Sequence, residues 1–230
     1  MKKTILAVLI MCATITGAHA AVSSAKKEMT ISEYQQSAEK GDPGSQYLLG
    51  LKLSKGNGVK KDYLKAMEWF KKSAEQGNAD AAFSLGAMYH KGMGVEVNKD
   101  AAIEWYEKAA ERGNYKAQFN LGTLYGNAGN YMMAEKWLRK GAVQGEPRSQ
   151  YRMGTLYESG IVVGKDLVVA HAWYSSALVN AQTNDPEILN QLHEKRIITA
   201  QQLDEQEFSR SQQMAIKFIE QYKLPDRKAE

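Results

Sequence analysis

The chain has 230 residues, 43% hydrophobic and 24% charged, the balance of a folded domain in water rather than of a membrane bundle. Lys2 and Lys3 are the only charges among residues 1–20, so the remainder carries 28 basic and 26 acidic side chains, a net of +2. That is far from the dense positive field a nucleic-acid binder needs. A single cysteine, Cys12, rules out an intrachain disulfide and leaves stability to packing.

Met1-Lys2-Lys3, an apolar run from Ile5 to Ile15 and the small-residue stretch Ala18-His19-Ala20 read as a secretory signal, residues 1–20, cleaved after Ala20. The run is shorter than the roughly 20 apolar residues of a spanning helix. Export, with periplasmic residence ahead of secretion, is the expectation. The alternative, acylation at Cys12 as in a lipoprotein, is disfavoured by bulky Met11 in front of it. Residues 21–41 then form an N-terminal segment whose Ile31–Lys40 stretch supplies a capping helix.

From there the chain repeats itself. Ser37-Ala38-Glu39-Lys40-Gly41 returns as Ser73-Ala74-Glu75-Gln76-Gly77 and Ala109-Ala110-Glu111-Arg112-Gly113, with a fourth glycine at Gly145. The tryptophans Trp69, Trp105, Trp137 and Trp173 keep step, and the third unit is shorter by four residues. Residues 42–180 thus divide into units of about 42–77, 78–113, 114–145 and 146–180.

Each unit reads as two helices. The second carries apolar positions at helical spacing, such as Ala66, Trp69, Phe70, Ser73 and Ala74, the stripe of an amphipathic helix. Asp62, Asn98, Asn130 and Asp166 stand where an N-cap belongs, and the unit-ending glycine suits the left-handed residue after a helix. The first helix opens after Asp42, Asn78, Asn114 or Glu146, with Pro43 and Pro147 at the first helical position where a missing N–H costs nothing. Ser45, Ala81, Ala117 and Ser149, with Gly50, Gly86, Gly122 and Gly154, let neighbouring helices approach. No hairpin buries its stripe alone, so the expected fold is all-α, an α/α solenoid of antiparallel helix-turn-helix hairpins. The recurring tryptophans read as core.

Residues 181–230 read as C-terminal capping helices. One begins at Asp185-Pro186, and another at Thr199, where Gln202 completes a capping-box spacing ahead of Phe208, Ala215, Phe218, Ile219 and Tyr222.

Phe83-Ser84-Leu85-Gly86-Ala87-Met88-Tyr89 and Gly92-Met93-Gly94-Val95, with the tryptophan-bearing second helix, resemble the Sel-1-like repeat, a relative of the tetratricopeptide repeat. The third unit departs from the pattern with Gly126-Asn127-Ala128-Gly129, and the fourth reads Gly160-Ile161-Val162-Val163. Some exported relatives carry a cysteine pair in each repeat and have been described as binding or slowly hydrolysing β-lactams. This chain lacks those cysteines.

Chemistry-bearing patterns are absent, so no catalytic residue, metal site or cofactor is expected. His90, His171 and His193 lie in different units without ligand spacing, and His90 and His193 read as exposed polar residues. Ser23 to Lys26 and Ser37 to Lys40 match Ser-x-x-Lys without the accompanying Lys-Thr-Gly. Gly160 to Lys165 has one spacer too few for a phosphate loop, and the Gly-x-Gly turns lack strand context.

What varies between repeats is more informative. On the first helices one stripe changes from unit to unit: Gly44, Leu48, Leu51, Lys55; Asp80, Ser84, Ala87, Lys91; Lys116, Asn120, Thr123, Asn127; Arg148, Arg152, Thr155, Ser159. The resemblance implies that first helices line a concave groove, so Lys55, Ser84, Ala87, Lys91, Lys116, Asn120, Thr123, Arg148, Arg152 and Thr155 are the candidate partner-binding residues. Five cations against Asp80 imply a protein partner with an acidic surface, with Tyr47, Phe83, Phe119 and Tyr151 as aromatic contacts at the edge. The leading expectation is a non-enzymatic adaptor, inhibitor or immunity-type binder. The alternatives are a weak β-lactam or cell-wall-ligand hydrolase and a secreted host-interaction factor.

Overall fold

The computed structural model describes residues 29–162, 164–181 and 186–222. The expected signal at residues 1–20, Cys12, the Ser23–Lys26 motif and the cap at Asp185 lie outside them. Among the described residues the chain forms α1 (Ile31–Glu39), α2 (Pro43–Lys55), α3 (Tyr63–Glu75), α4 (Ala79–Lys91), α5 (Lys99–Glu111), α6 (Tyr115–Asn127), α7 (Tyr131–Val143), α8 (Pro147–Ser159), α9 (Leu167–Asn180), α10 (Pro186–Ala200) and α11 (Glu205–Gln221). The pairs α2/α3, α4/α5, α6/α7 and α8/α9 are hairpins, each stacked on the next, with α1 against α2 at one end and α10 and α11 against α9 at the other. The chain is thus an all-α solenoid. No described helix is long and apolar enough to cross a membrane.

The caps set the helix boundaries. Asp42, Asn78, Asn114 and Glu146 each accept the backbone N–H three residues on, as do Asp62, Asn98, Asn130 and Asp166 on the second helices, which satisfies donors that a helix start leaves unpaired. Between hairpins the chain turns at glycines such as Gly77 and Gly113, at φ of 94° and 86°, where a side chain would be strained.

A buried amide ladder joins consecutive hairpins. Gln46, Gln118 and Gln150 donate through Nε2 to the carbonyls of Ala38, Ala110 and Ala142, which lie near helix ends where the ladder of i→i−4 bonds runs out. Their own side-chain oxygens accept from Gln76, Gln144 and Asn180. The second unit has Ala82 and Arg112 at these positions and lacks the rung.

The tryptophans divide. Trp137 and Trp173 are buried, whereas Trp69 and Trp105 are half-buried, with the ammonium groups of Lys72 and Lys108 4.2 and 4.1 Å from their ring centroids. The uniformly buried position is the next one, Phe70, Tyr106, Leu138 and Tyr174, because it faces the glycine of the first helix.

At the C-terminal end α11 lays Phe218 and Tyr222 on Trp173, with centroids 4.3 and 5.8 Å away. Its start corrects the expectation. Thr199 is buried in the last turn of α10 and its hydroxyl donates to the Lys195 carbonyl, so it is committed within that helix. Asp204 caps α11 instead, in a reciprocal box with Glu207. The expected apolar stripe survives the shift.

Candidate partner-binding groove

The variable stripe follows from the first helices' packing. Their other faces are occupied by small residues and the glycines against which the second helices close, so offsets three, four and seven residues apart remain outward. Of the ten candidate residues, Lys55, Lys91, Lys116, Arg148 and Arg152 are exposed, and Ser84, Ala87, Asn120, Thr123 and Thr155 are half-buried.

Several of these groups are already engaged. The hydroxyls of Ser84, Thr123 and Thr155 donate to carbonyls of Asp80, Phe119 and Arg152 on their own helices. Asn120 bonds the Tyr106 phenol, whose pKa burial pushes up to about 12. Arg148 pairs with Glu146 at 2.8 Å and lies 4.4 Å over the Phe119 ring, so its charge is largely compensated. Asp80 accepts from the Asn114 amide at 2.8 Å. The cationic character of the stripe therefore rests on Lys55, Lys91, Lys116 and Arg152.

The structure brings Thr123, Arg152 and Thr155 together around a cavity of about 300 Å³ between α6 and α8. Lys55, Ser84, Ala87, Lys91 and Lys116 do not line it. Leu138, on the second helix, and Tyr131 and Ile161, beside the turns, do. The stripe missed these because it followed first helices only. Comparison of second helices and turns between repeats carries the signal. A smaller space of about 150 Å³ beside it is bounded by Phe119, Arg148, Tyr151, Arg152, Ile188 and Gln191, so α10 reaches the end of the stripe.

The edge aromatics do not stand free as contacts. Tyr47, Phe83 and Tyr151 pack on Phe70, Tyr106 and Tyr174, with centroids 5.9, 5.7 and 5.7 Å apart. Each packs against the second helix of its own hairpin.

No group of three or more His, Cys, Asp or Glu stands close enough to hold a metal among the described residues. His193 is exposed. His90 is half-buried, not exposed as expected, with Nδ1 3.4 Å from the Tyr106 hydroxyl. His171 is 4% exposed, beside a cavity of about 440 Å³ between α9, α10 and α11. Burial and then the Arg196 charge hold its pKa below the usual histidine value. Its Nδ1 and the Arg196 Nε have no hydrogen-bond partner and lie away from solvent. Ile197, Leu203 and Phe208 give that cavity its apolar lining.

Comparison with known proteins accords with this architecture. The Sel1 repeat family model matches residues 43–78, 79–114, 116–146 and 147–178. A Sel1 repeat protein from Oxalobacter formigenes is 31% identical, with a TM-score of 0.66, over 81% of this chain and 78% of its own. A protective antigen present in uropathogenic Escherichia coli strains, displaying an SLR fold, is 33% identical with a TM-score of 0.61. The match covers 84% of this chain, which spans about half of that protein's length, 48%. An immunity protein from Pseudomonas aeruginosa is 20% identical over 76% of this chain and 77% of its own, with a TM-score of 0.45, a likeness too distant to speak to function. No curated protein sequence matches the chain.

Proposed function

The chain belongs to the Sel1 repeat family, and from that premise we propose that it is a non-enzymatic, exported binding protein that holds an acidic protein partner in the groove lined by its first helices. Sel1 repeats imply protein partners in general, and a solenoid supplies an extended surface for one. The observation that carries the reading is the divergence of the first-helix stripe from repeat to repeat. Of its residues in the last two repeats, Thr123, Asn127, Arg152, Thr155 and Ser159 meet around one cavity, while the packing positions beneath stay alike.

An adaptor or an inhibitor of immunity type, resident in the periplasm, fits this surface. The apolar run at residues 5–15 and Ala18-His19-Ala20 support export. The 33% identity to a protective antigen favours a second reading, in which the partner is a host protein met outside the cell.

Capture experiments test both. The full chain, tagged at its C-terminus and expressed in its own cells, is purified from each cell fraction after cross-linking. A Lys116→Glu/Arg152→Glu variant is purified alongside. A stoichiometric partner lost from the variant is expected, on a bait whose intact mass begins at Ala21. A partner held equally by the variant would remove the groove assignment.

A further inference from the structure

The third repeat is smaller than its neighbours at three points: two line the cavity between α6 and α8, and the third is a turn whose flanking residues Asn127 and Tyr131 line it. Its turn spans only residues 128–130, where the others use 56–62, 92–98 and 160–166. Leu138 stands where the other repeats have Phe70, Tyr106 and Tyr174, and Gly126 where they have Ser54, His90 and Glu158.

The last two positions face one another. In the second repeat the Tyr106 hydroxyl lies 3.4 Å from His90 Nδ1, and in the fourth the Tyr174 hydroxyl donates to Glu158 at 2.6 Å. In the third repeat both partners shrink together. A Cβ at Gly126 would find its nearest neighbour, the Ala134 Cβ, at an ordinary 3.7 Å.

The fourth repeat widens the mouth. Gly94 lies so near Tyr63 that a Cβ on it would stand 2.5 Å from the tyrosine Cβ. The equivalent of Gly94 is Val162 and that of Tyr63 is Tyr131, so this turn cannot close on its tyrosine in the same way. Tyr131 is 41% exposed and Ile161 beside it 56%.

We infer that this cavity seats one apolar side chain from an extended segment of the partner, with an aspartate or glutamate of that segment on Arg152. The inference rests on the groove reading above and deepens it. Ala134, Leu138 and Leu156 give the cavity an apolar interior, and Arg152 is the one charged residue lining it among those described. Its neighbour Arg148 is occupied by Glu146, which leaves Arg152 as the cation available to an incoming carboxylate. The apolar rim at Tyr131 and Ile161 continues the surface outward. A chain segment covers such a rim, whereas a small molecule inside the cavity does not.

The probe is a set of acetylated, amidated peptides with one leucine between two aspartates, its alanine counterpart, and the same leucine between two lysines. Methyl NMR follows Leu138, Leu156, Thr155 and Ile161 of the full chain. Gly126→Leu fills the cavity from one wall where there is room, and Arg152→Glu reverses its charge. Lys116→Glu alters the groove elsewhere, and circular dichroism checks each fold. The acidic leucine peptide should shift those methyls. Its affinity should fall about tenfold or more, over 1.4 kcal/mol, with alanine, with lysines, in Gly126→Leu and in Arg152→Glu, and hold in Lys71→Glu, at an exposed second-helix position outside the groove. No shift at millimolar peptide, or equal binding by Gly126→Leu, would overturn the inference. Binding lost in Lys116→Glu but kept in Gly126→Leu would sink the cavity and leave the groove standing.

Discussion

Tyr106 rests its ring against the backbone of Gly86 so closely that a Cβ on Gly86 would stand 2.5 Å from the tyrosine Cδ1. The same relationship joins Gly50 to Phe70, Gly122 to Leu138 and Gly154 to Tyr174, so each hairpin closes on a glycine facing a large side chain. Gly86→Ala should cost roughly 1–3 kcal/mol of overpacking, offset by about 1 kcal/mol of helix propensity. Urea denaturation should show a net loss. A stabilised variant would contradict the close packing.

Much of this was legible in the chain alone. The caps from Asp42 to Asp166 and the hairpin-ending glycines repeat at fixed spacing because each answers a local backbone need. The glycines facing Tyr106 and its equivalents were recognisable as points of close approach, but their partners were not. Trp69 and Trp105 share a helix face with their buried neighbours, and periodicity cannot tell the face centre from its margin, where a lysine covers the ring. Thr199 has the spacing of a cap, and only the continuation of α10 commits its hydroxyl elsewhere. The cavity depends on residues from three helices and a turn. The four-residue shortening behind it was visible, but its place beside Leu138 was not.

Gln118 is 3% exposed, donates to the Ala110 carbonyl and accepts from Gln144. Gln118→Leu removes both bonds, while the Ala110 carbonyl keeps the Gly113 N–H and the Gln144 amide keeps the Lys140 carbonyl, so the loss should be about 0.5–1.5 kcal/mol. Denaturation of this variant beside Gln35→Leu, at an exposed site on α1, checks it. Equal stabilities would mean that the amide ladder contributes nothing.

His171 supplies a pH dependence. Its folded pKa lies below the unfolded value, owing to burial and then the Arg196 charge, so between the two the unfolded chain binds more protons. The stability linked to neutral His171 is present above the ordinary histidine pKa and is lost as pH falls below it. Melting temperature should drop across pH 6.5 to 5, and His171→Phe should flatten that drop. An unchanged slope in the variant would assign the drop to other groups.

Asp204 and Glu207 close a reciprocal cap on α11, the helix that covers Trp173. Asp204→Ala should cost about 1 kcal/mol and loosen Phe218 from Trp173, read as a red shift in tryptophan emission. Gln202→Ala should leave emission unchanged, since the cap does not use Gln202. The reverse pattern would return the helix start to Thr199.

Site-specific photo-cross-linking tests the groove most directly. A benzophenone side chain placed at Thr123 or Ser159, on the first-helix stripe, is compared in cells with one at Lys71 or Lys136, exposed on second helices. A cross-link to one protein from the first pair and not from the second is the predicted result. A partner caught only from the second-helix positions would contradict the account.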